Sequence, residues 1–429
     1  MPHARWDWFN SGGRTRTERL RERILLSTAR DISSEKLSVL SLFSGAGGMD
    51  VGLEAAGFEP IACLELEANA RETLRLNRPD WNVPEDGDVL EAARELTPPD
   101  FDMNVGDLDL IAGGPPCQPF STAAQWSSSG RKGMSDLRAE TVHALLKLVR
   151  RFQPRALFLE NVLGFVEGHH SALSTLKSGL AEINRDVGTS YSLEWQLLNS
   201  ADYGVPQNRK RVIILAFRDG TAAAWPAPTH VGKQVTAMDA FAGLNEVDRP
   251  QATGKWKDLL PSIPEGHNYQ WLTSHGGGEE VFGYRTKYWN FLLKLARNAP
   301  SWTLSASPGP STGPFHWENR PLTPRERLRL QSFPDDWNLT GDLRQQIRLS
   351  GNATPALLAE LVGRAIRSHL GSEIVGSLTL EIARQNHAYS GLPVFAVPAG
   401  FRMLIGEKAP HGGTGHGPAP RPIPAQVLP

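Results

Sequence analysis

Short apolar runs alternate with amphipathic stretches in the first half of the chain. The apolar runs are "KLSVLSLFSG", "PIACLE", "DLDLIAGG", "RALFLEN" and "KRVIILAF". Helix-like sequence separates them, as in "MDVGLEAAGF" after the first run and "LRAETVHALLKLVRRF" before the fourth. Strands that are apolar throughout and alternate with helices are typical of a sheet covered on both faces. The pattern predicts an α/β fold with a doubly wound, mostly parallel sheet.

Changes in this pattern divide the chain into five segments. Residues 1–36 are polar and contain the basic stretch "RTRTERLRERI", which we interpret as an N-terminal extension. Residues 37–217 hold the predicted strands. Residues 218–320 are rich in Pro, Gly and aromatic side chains, and they predict a second, smaller, irregular domain. Amphipathic helices return in 321–370 and complete the first domain. Residues 371–429 form a C-terminal extension that we expect to be partly disordered, at its Pro/Gly-rich end.

Composition excludes several classes of protein. The chain is 40% hydrophobic and 21% charged, and no apolar run is long enough to predict a transmembrane helix. Two cysteines cannot form a disulfide framework, and no Cys/His cluster has zinc spacing. We therefore expect no metal and a cytoplasmic location. A net charge of −1 gives no global signature of nucleic-acid binding, although a local basic groove is compatible with it.

Reactive residue types stand where the predicted strands end. The first strand runs into the glycine turn "FSGAGG", and the third runs into "GGPPCQPFS", which contains Cys117. Glu65 and Glu160 end the second and fourth strands. Ligands of such sheets bind beyond the carboxyl ends of the strands. The prolines around Cys117 stiffen its loop, which suits a nucleophile that is positioned before its substrate arrives. Cys63, inside an apolar run, is interpreted as a small buried side chain.

The glycine turn and Glu65 together indicate a cofactor that contains a nucleoside. A carboxylate about twenty residues after a glycine turn is where related folds bind a ribose. Asp50 replaces the third glycine of a pyrophosphate-binding fingerprint, so an adenosine cofactor without phosphates fits better. S-adenosylmethionine has that chemistry. Asp88, which we place at another strand-end turn, is either a ligand of the adenine amino group or an exposed turn aspartate.

Several motifs occur in the order found in DNA (cytosine-5) methyltransferases, and the chain resembles that family. The motifs are "SLFSGAGG", "GGPPCQPFS", "ENV", "QNRKR", "RPLTPRERLRLQSFPDDW" and "GNATP". The resemblance covers roughly 38–217 and 320–370. It implies a Rossmann-like sheet of the S-adenosylmethionine-dependent methyltransferase type, and an enzyme of bacterial restriction-modification systems. In this family the region equivalent to 218–320 is the variable target-recognition domain.

The resemblance also implies roles for individual residues. The Cys117 thiolate would attack C6 of a flipped-out cytosine, so that C5 can accept the methyl group of S-adenosylmethionine. Glu160 would protonate or hydrogen-bond N3 of the base. Arg209 and Arg211 would hold the base and favour the thiolate. The residues expected to bind the cofactor are Phe43, Gly45, Gly47, Glu65, Asp88 and Asn352.

DNA contacts are expected on both sides of a cleft. The Ser/Gly-rich loop 121–136 follows Cys117, and we interpret it as a lid whose Arg131 and Lys132 meet the DNA. Further candidates, for contacts to phosphates, are Arg285, Lys287 and Arg320. We expect double-stranded DNA as the partner, a monomeric enzyme and no membrane association. A restriction endonuclease acting separately is an additional partner implied by the resemblance.

Three alternatives stay open. A tRNA cytosine-5 methyltransferase would use the same chemistry, but that branch usually has a shorter variable region than this chain. A catalytically inactive homologue could bind DNA or a protein partner, although intact Cys117, Glu160 and the arginine pair argue against it. A plain NAD-binding protein is disfavoured by the broken glycine fingerprint.

Overall fold

The computed structural model describes residues 36–116, 140–168, 171–246, 248–284, 288–373, 376–385 and 387–402. Its strands are β1 (Leu37–Leu42), β2 (Phe58–Leu64), β3 (Leu110–Gly113), β4 (Ala156–Asn161), β5 (Ser192–Asn199), β6 (Gln207–Asn208), β7 (Lys210–Phe217) and β8 (Ser301–Trp302). Its helices are α1 (Gly48–Ala55), α2 (Ala68–Asn77), α3 (Val89–Glu95), α4 (Glu140–Phe152), α5 (Leu173–Val187), α6 (Ala237–Phe241), α7 (Pro324–Arg329), α8 (Leu343–Asn352), α9 (Ala356–His369) and α10 (Ala399–Arg402).

Six of these strands form a central sheet with the order β2-β1-β3-β4-β7-β5. The pairings among β1, β2, β3 and β4 are parallel, whereas β7 is antiparallel to both β4 and β5. The predicted α/β class and mostly parallel sheet are confirmed. The sequence analysis missed β5, whose "SLEWQLLN" is half exposed at the sheet edge and therefore lacks a continuous apolar run.

The reversed direction of β7 decides which of its ends reaches the edge where β4 ends. In the ladder between the two strands, Asn161 pairs with Val212 and Ala156 pairs with Phe217. The amino end of β7 therefore lies beside the carboxyl end of β4. As a result, the motif "QNRKR", which leads into β7, lies at the same edge as Glu160.

Apolar side chains pack on both faces of the sheet. Successive residues of β1 point to opposite faces: Leu40 joins the core that contains α3, α4 and α5, whereas Val39 joins the core that contains α1 and α9. Covering helices on both faces explain why the central strands are apolar throughout. In the part of the chain that the structure describes, no helix is both long and apolar enough to cross a membrane.

Residues 218–320 contain little regular structure but have a core of their own. Its buried side chains include Leu259, Tyr269 and Phe282. Val397, from the C-terminal part of the chain, is buried in the same core. The domain boundaries predicted from the sequence stay predictions.

Helices α1 and α9 approach each other at backbone distance because glycines face the contact. A Cβ atom at Gly52 would lie 2.3 Å from the carbonyl oxygen of Ala356 and 2.6 Å from the Cβ of Ala359. A Cβ atom at Gly363 would lie 2.8 Å from the Cβ of Ala56. The close approach holds the start of α9, and the loop that precedes it, against the sheet.

We predict that Gly52→Ala lowers the free energy of unfolding by about 1–3 kcal/mol, because the added methyl group overpacks this contact. Urea unfolding measures the change. Gly391→Ala is the control, since a Cβ atom there meets no other atom within 4 Å. Equal stability of the two variants would contradict the close contact.

Candidate active site

A cavity of about 930 Å³ opens where the four parallel strands end. Its wall contains the loop after β1, Glu65 after β2, the Pro115–Pro116 pair after β3, and Glu160 at the end of β4. Residues from the end of α8 to the start of α9 supply another part of the wall, including Asn352. The structure thus brings together most of the strand-end residues singled out in the sequence, because carboxyl ends of parallel strands meet at one edge.

The loop after β1 is fastened to the end of β2. Phe43 has φ 58° and Gly45 has φ 56°, so both adopt the left-handed conformation. The N–H of Phe43 donates to the carbonyl oxygen of Leu64 at 2.8 Å, and the N–H of Gly45 donates to Oε2 of Glu65 at 2.8 Å. These two bonds fix the loop and the carboxylate as one unit.

Glu65 presents a buried carboxylate to the cavity. Its Oε1 accepts a hydrogen bond from the N–H of Glu67 at 2.8 Å, so backbone donors hold both carboxylate oxygens. Burial raises the pKa of Glu65 above its usual range. A Cβ atom at Gly87 would lie 2.3 Å from the Glu65 carbonyl oxygen, so only glycine lets the following turn pack here. Each carboxylate oxygen keeps a second lone pair for a ligand hydroxyl.

Asp88 caps a helix and does not end a strand. It is the N-cap residue of α3, and its carboxylate accepts from the N–H of Leu90 at 2.8 Å. No strand lies between β2 and α3 in this fully described stretch, so the predicted strand-end turn is wrong. An aspartate that binds the first-turn N–H favours a helix start instead. Asp88 still lies in the cavity wall.

Gly47 supports the glycine loop from behind. It is the N-cap of α1 with φ 85° and is not among the residues of the cavity wall. A Cβ atom at Gly47 would lie 2.7 Å from the Trp337 ring, and the indole N–H of Trp337 donates to the Ala46 carbonyl oxygen at 3.0 Å. Gly47 therefore packs against Trp337, and the cofactor contact expected there stays a prediction.

Glu160 and Arg211 form an ion pair in the cavity wall. The guanidinium Nε of Arg211 lies 2.9 Å from Oε1 of Glu160, and Glu160 is only 7% exposed. The other oxygen, Oε2, lies 3.5 Å from the position of a Cβ at Gly114. Gly114, in the loop that leads to Cys117, therefore lies beside this oxygen.

Asn161 holds the entrance of the proline loop. Its side-chain Nδ2–H donates to the carbonyl oxygen of Pro115 at 2.9 Å, and Asn161 is itself 2% exposed. Pro116 is the last described residue before Cys117 and lies in the cavity wall. Cys117 lies outside the described residues. The "ENV" motif contained the signal for Asn161, but the sequence analysis gave a role only to the glutamate.

Arg209 joins the β6–β7 turn to the end of α8. It is 2% exposed, and its guanidinium donates to the carbonyl oxygens of Gly351 at 3.1 Å and Asn352 at 3.5 Å. Arg209 and Arg211 both line the cavity. Their surroundings differ, since Arg209 binds backbone carbonyls whereas Arg211 pairs with Glu160.

A family model described as C-5 cytosine-specific DNA methylase matches residues 37–368. The chain belongs to the C-5 cytosine-specific DNA methylase family. The DNA (cytosine-5) methyltransferase class predicted from the motifs is confirmed. The type II methyltransferase M.SacI of Streptomyces achromogenes is 34% identical over 385 residues, which cover 79% of this chain and 94% of M.SacI. The type II methyltransferase M.Eco47II of Escherichia coli is 34% identical over 361 residues, which cover 78% of this chain and 80% of M.Eco47II.

Solved structures of methyltransferases share the fold of this methyltransferase. The Entamoeba histolytica methyltransferase EhMeth superposes with a TM-score of 0.53 at 16% identity, over 79% of this chain and 99% of EhMeth. A mutant of Spodoptera frugiperda DNMT2 gives a TM-score of 0.53 at 18% identity, over 77% of this chain and 99% of its own. At these identities the likeness concerns the fold alone.

Only one of the five predicted DNA contacts of the methyltransferase, Arg320, lies among the described residues. Arg320 is 5% exposed and its guanidinium donates to both carboxylate oxygens of Glu326, at 2.9 and 2.6 Å. A buried ion pair thus occupies this side chain, and the phosphate contact expected at Arg320 stays a prediction. The remaining candidates lie outside the described residues, namely Arg131, Lys132, Arg285 and Lys287.

A buried aspartate beneath the glycine loop was not assigned a role from the sequence. Asp50 on α1 is 1% exposed, and its Oδ1 accepts from the Ser44 hydroxyl at 3.3 Å and from the Cys63 thiol at 3.7 Å. Cys63 is fully buried, as expected. Burial raises the pKa of Asp50 to about 6. Ser44 lines the cavity, so Asp50 stands directly behind the cavity wall.

We predict a pH dependence of stability that Asp50→Asn removes. The pKa of Asp50 is raised from 3.8 to about 6 in the folded chain, so folding favours the protonated acid. Asp50 makes its full contribution to the free energy of unfolding below pH 4. That free energy falls by about 3 kcal/mol as the pH rises to about 6. Urea unfolding at pH 4.5 and 7.5 should show that wild type loses stability relative to Asp50→Asn. The exposed Asp258→Asn is the control, and an identical pH response of all three proteins would contradict the buried acid.

Proposed function

We propose that this chain transfers the methyl group of S-adenosylmethionine to C5 of a flipped-out cytosine within a specific sequence of double-stranded DNA. The reaction would proceed through a covalent bond between Cys117 and C6. The observation that carries the proposal is the Glu160–Arg211 ion pair, which shares one cavity with the Glu65 loop and with Pro116 before Cys117. The Glu160–Arg211 pair would bind the cytosine, and Glu65 would bind the nucleoside of the cofactor. Their presence in one cavity supports methyl transfer from the cofactor to the cytosine.

The chemistry of the cavity residues fits S-adenosylmethionine. Glu65 in the wall offers carboxylate lone pairs, and Asp50 lies behind the glycine loop, which suits ribose hydroxyls better than a pyrophosphate. The cofactor, when bound, supplies an electrophilic methyl group. The residues that would hold the cofactor are Phe43, Gly45, Gly47, Glu65, Asp88 and Asn352.

The chemistry at the other end would be carried by the protein and the base. The sulfur of Cys117 attacks C6 and forms the S–C6 bond, and the electron pair of the C5–C6 double bond becomes available at C5. Glu160 protonates or hydrogen-bonds N3 as negative charge develops there. Arg211 pairs with Glu160 at 2.9 Å, and one arginine of the Arg209/Arg211 pair would hold the O2 atom. C5 would take the methyl group and leave the cofactor as its neutral thioether, S-adenosylhomocysteine. A base then removes the C5 proton, the S–C6 bond breaks, the thiolate leaves and any proton given to N3 returns to Glu160. C6 is inaccessible in a stacked duplex, so the cytosine must leave the helix.

The direct test is methylation of a mixed-sequence plasmid with purified protein, followed by bisulfite sequencing. We expect 5-methylcytosine at every copy of one short site. Methylation of tRNA but not of the plasmid would favour the RNA alternative. Cofactor binding without methylation of either substrate would favour the inactive homologue.

We predict that Cys117→Ala abolishes methyl transfer and leaves the affinity for S-adenosylmethionine unchanged, because the thiol bonds to the base. Wild type should form a covalent adduct with duplex DNA that contains 5-fluorocytosine at the target, since fluorine cannot leave as a proton does. Denaturing gel electrophoresis measures the adduct. Cys63→Ala is the matched control and should form the adduct as wild type does. An adduct with Cys117→Ala would contradict the assignment.

Glu160→Gln should lower kcat by two or more orders of magnitude, because glutamine keeps the shape but cannot transfer a proton. Single-turnover methylation of the mapped site measures the rate, and calorimetry should show unchanged cofactor affinity. The exposed Glu167→Gln is the control. A kcat within a few-fold of wild type would mean that Glu160 is a structural acid.

A further inference from the structure

Residues 376–385 and 387–402 lie beyond the end of the family match at residue 368, yet they pack along the folded chain. The first part is anchored to α9 of the catalytic domain. Glu360, which is fully buried, accepts hydrogen bonds from the N–H of Thr379 at 2.9 Å and the N–H of Leu380 at 3.1 Å. Arg364 donates to the Gly376 carbonyl oxygen at 2.9 Å. A charged, buried acceptor that binds two successive amides fixes the start of this segment.

The middle of the segment contacts residues 218–320, the predicted target-recognition domain, which we call the variable region. The N–H of Gln385 donates to Oδ1 of Asp239 at 2.8 Å, and the His387 imidazole lies 3.3 Å from the same oxygen. Asp239 lies on α6 and is 3% exposed. Ile382 packs against a cluster that includes Leu295. The segment therefore contacts residues of 218–320 only a few positions after its anchor on α9.

The last part completes the core of the variable region. The N–H of Phe395 donates to the carbonyl oxygen of Pro261 at 3.0 Å, and the Ser262 hydroxyl donates to the carbonyl oxygen of Ala396 at 3.2 Å. Val397 is 4% exposed among the apolar side chains of that core. Arg402 pairs with Glu279 at 2.7 Å.

Arg297 adds a contact between these points. Its guanidinium donates to the Ser390 carbonyl oxygen at 2.6 Å and lies 5.0 Å from the centre of the Tyr389 ring. The same guanidinium pairs with Glu265 at 2.9 Å. One arginine thus joins the C-terminal segment to the 3₁₀-rich part of 218–320.

We propose that the unit that reads the DNA target in this enzyme is discontinuous and consists of residues 218–320 together with 381–402, and that 376–380 tether it to α9. The inference rests on the proposed function, because it assigns target reading to this side of the molecule. Irregular loops have few backbone hydrogen bonds of their own. The C-terminal segment supplies buried apolar side chains and amide donors to these loops and therefore determines the positions of the loops. The tether adds a third covalent connection between the recognition unit and the first domain, besides the chain at 217–218 and 320–321, and so restricts the positions of the unit.

The covalent connection between α9 and most of the C-terminal part of the recognition unit can be tested by cutting the chain in the folded enzyme. A specific protease site is inserted between the exposed residues Ala383 and Arg384, and the uncut protein serves as the reference for folding and activity. After cutting, we expect a DNA dissociation constant raised roughly tenfold or more, with cofactor affinity within about twofold of the uncut protein. Hydrogen exchange in 257–272 should become faster. The same insertion in the exposed turn after Gly188 is the control and should change none of these quantities when cut.

A pair of single substitutions tests the core contact independently. Val397→Ala should raise the DNA dissociation constant several-fold and speed exchange in 257–272, because it removes buried methyl groups. Val394→Ala makes the same chemical change at a 45% exposed position and should have no effect. Unchanged exchange after cutting and in Val397→Ala would overturn the inference, whether or not the enzyme methylates DNA. Faster exchange with unchanged DNA affinity and unchanged target site would overturn the recognition role. Absence of methylation by the uncut and wild-type proteins would contradict the proposed function instead.

Discussion

The antiparallel pairing of β7 with β4 is the constraint on which the Glu160 end of the cavity depends. It places the first residues of β7 beside the last residues of β4, so that the Arg211 guanidinium meets the Glu160 carboxylate at 2.9 Å. Each charge would be strongly destabilising alone at this depth, whereas together they compensate. A parallel β7 would carry the arginine to the opposite edge of the sheet and leave Glu160 unpaired.

The Glu65 end of the cavity depends on how closely backbone segments approach each other. A Cβ atom at Gly48 would lie 2.1 Å from the Thr354 carbonyl oxygen, and one at Gly87 would meet Glu65. The first of these contacts brings together residues that are some three hundred positions apart in the chain. The cavity wall is therefore a product of tertiary packing at glycines, and Asp50 sits behind it as a buried acid whose raised pKa reports on that packing.

Residues of the variable region contact residues in or next to the cavity wall. β8 pairs with β6 just before Arg209, and a Cβ atom at Gly351 would lie 2.5 Å from the Cα of Ala306. Arg327, whose pKa is lowered to about 10 by burial, donates to the Ser305 carbonyl oxygen at 2.6 Å and to the Ser350 hydroxyl at 2.8 Å. A displacement of residues 301–306 would therefore also displace Asn352 and Arg209 through these contacts.

The sequence by itself determined the fold class and the identities of the chemical groups. Apolar runs, glycine turns and acids at strand ends are local patterns, and the buried strands and the motifs carry those patterns within a few residues. Local patterns also explain two errors. The edge strand β5 has no apolar run, and Asp88 was given a strand-end turn although it caps a helix.

Tertiary structure alone decided the direction of β7, the burial of Arg320 against Glu326, the place of Asp50 behind the cavity, and the return of residues 376–402 to the variable region. Each of these depends on which distant residue supplies the partner. Arg320 and an exposed phosphate-binding arginine look alike in the sequence, because burial and pairing are properties of the folded chain and not of the neighbouring residues.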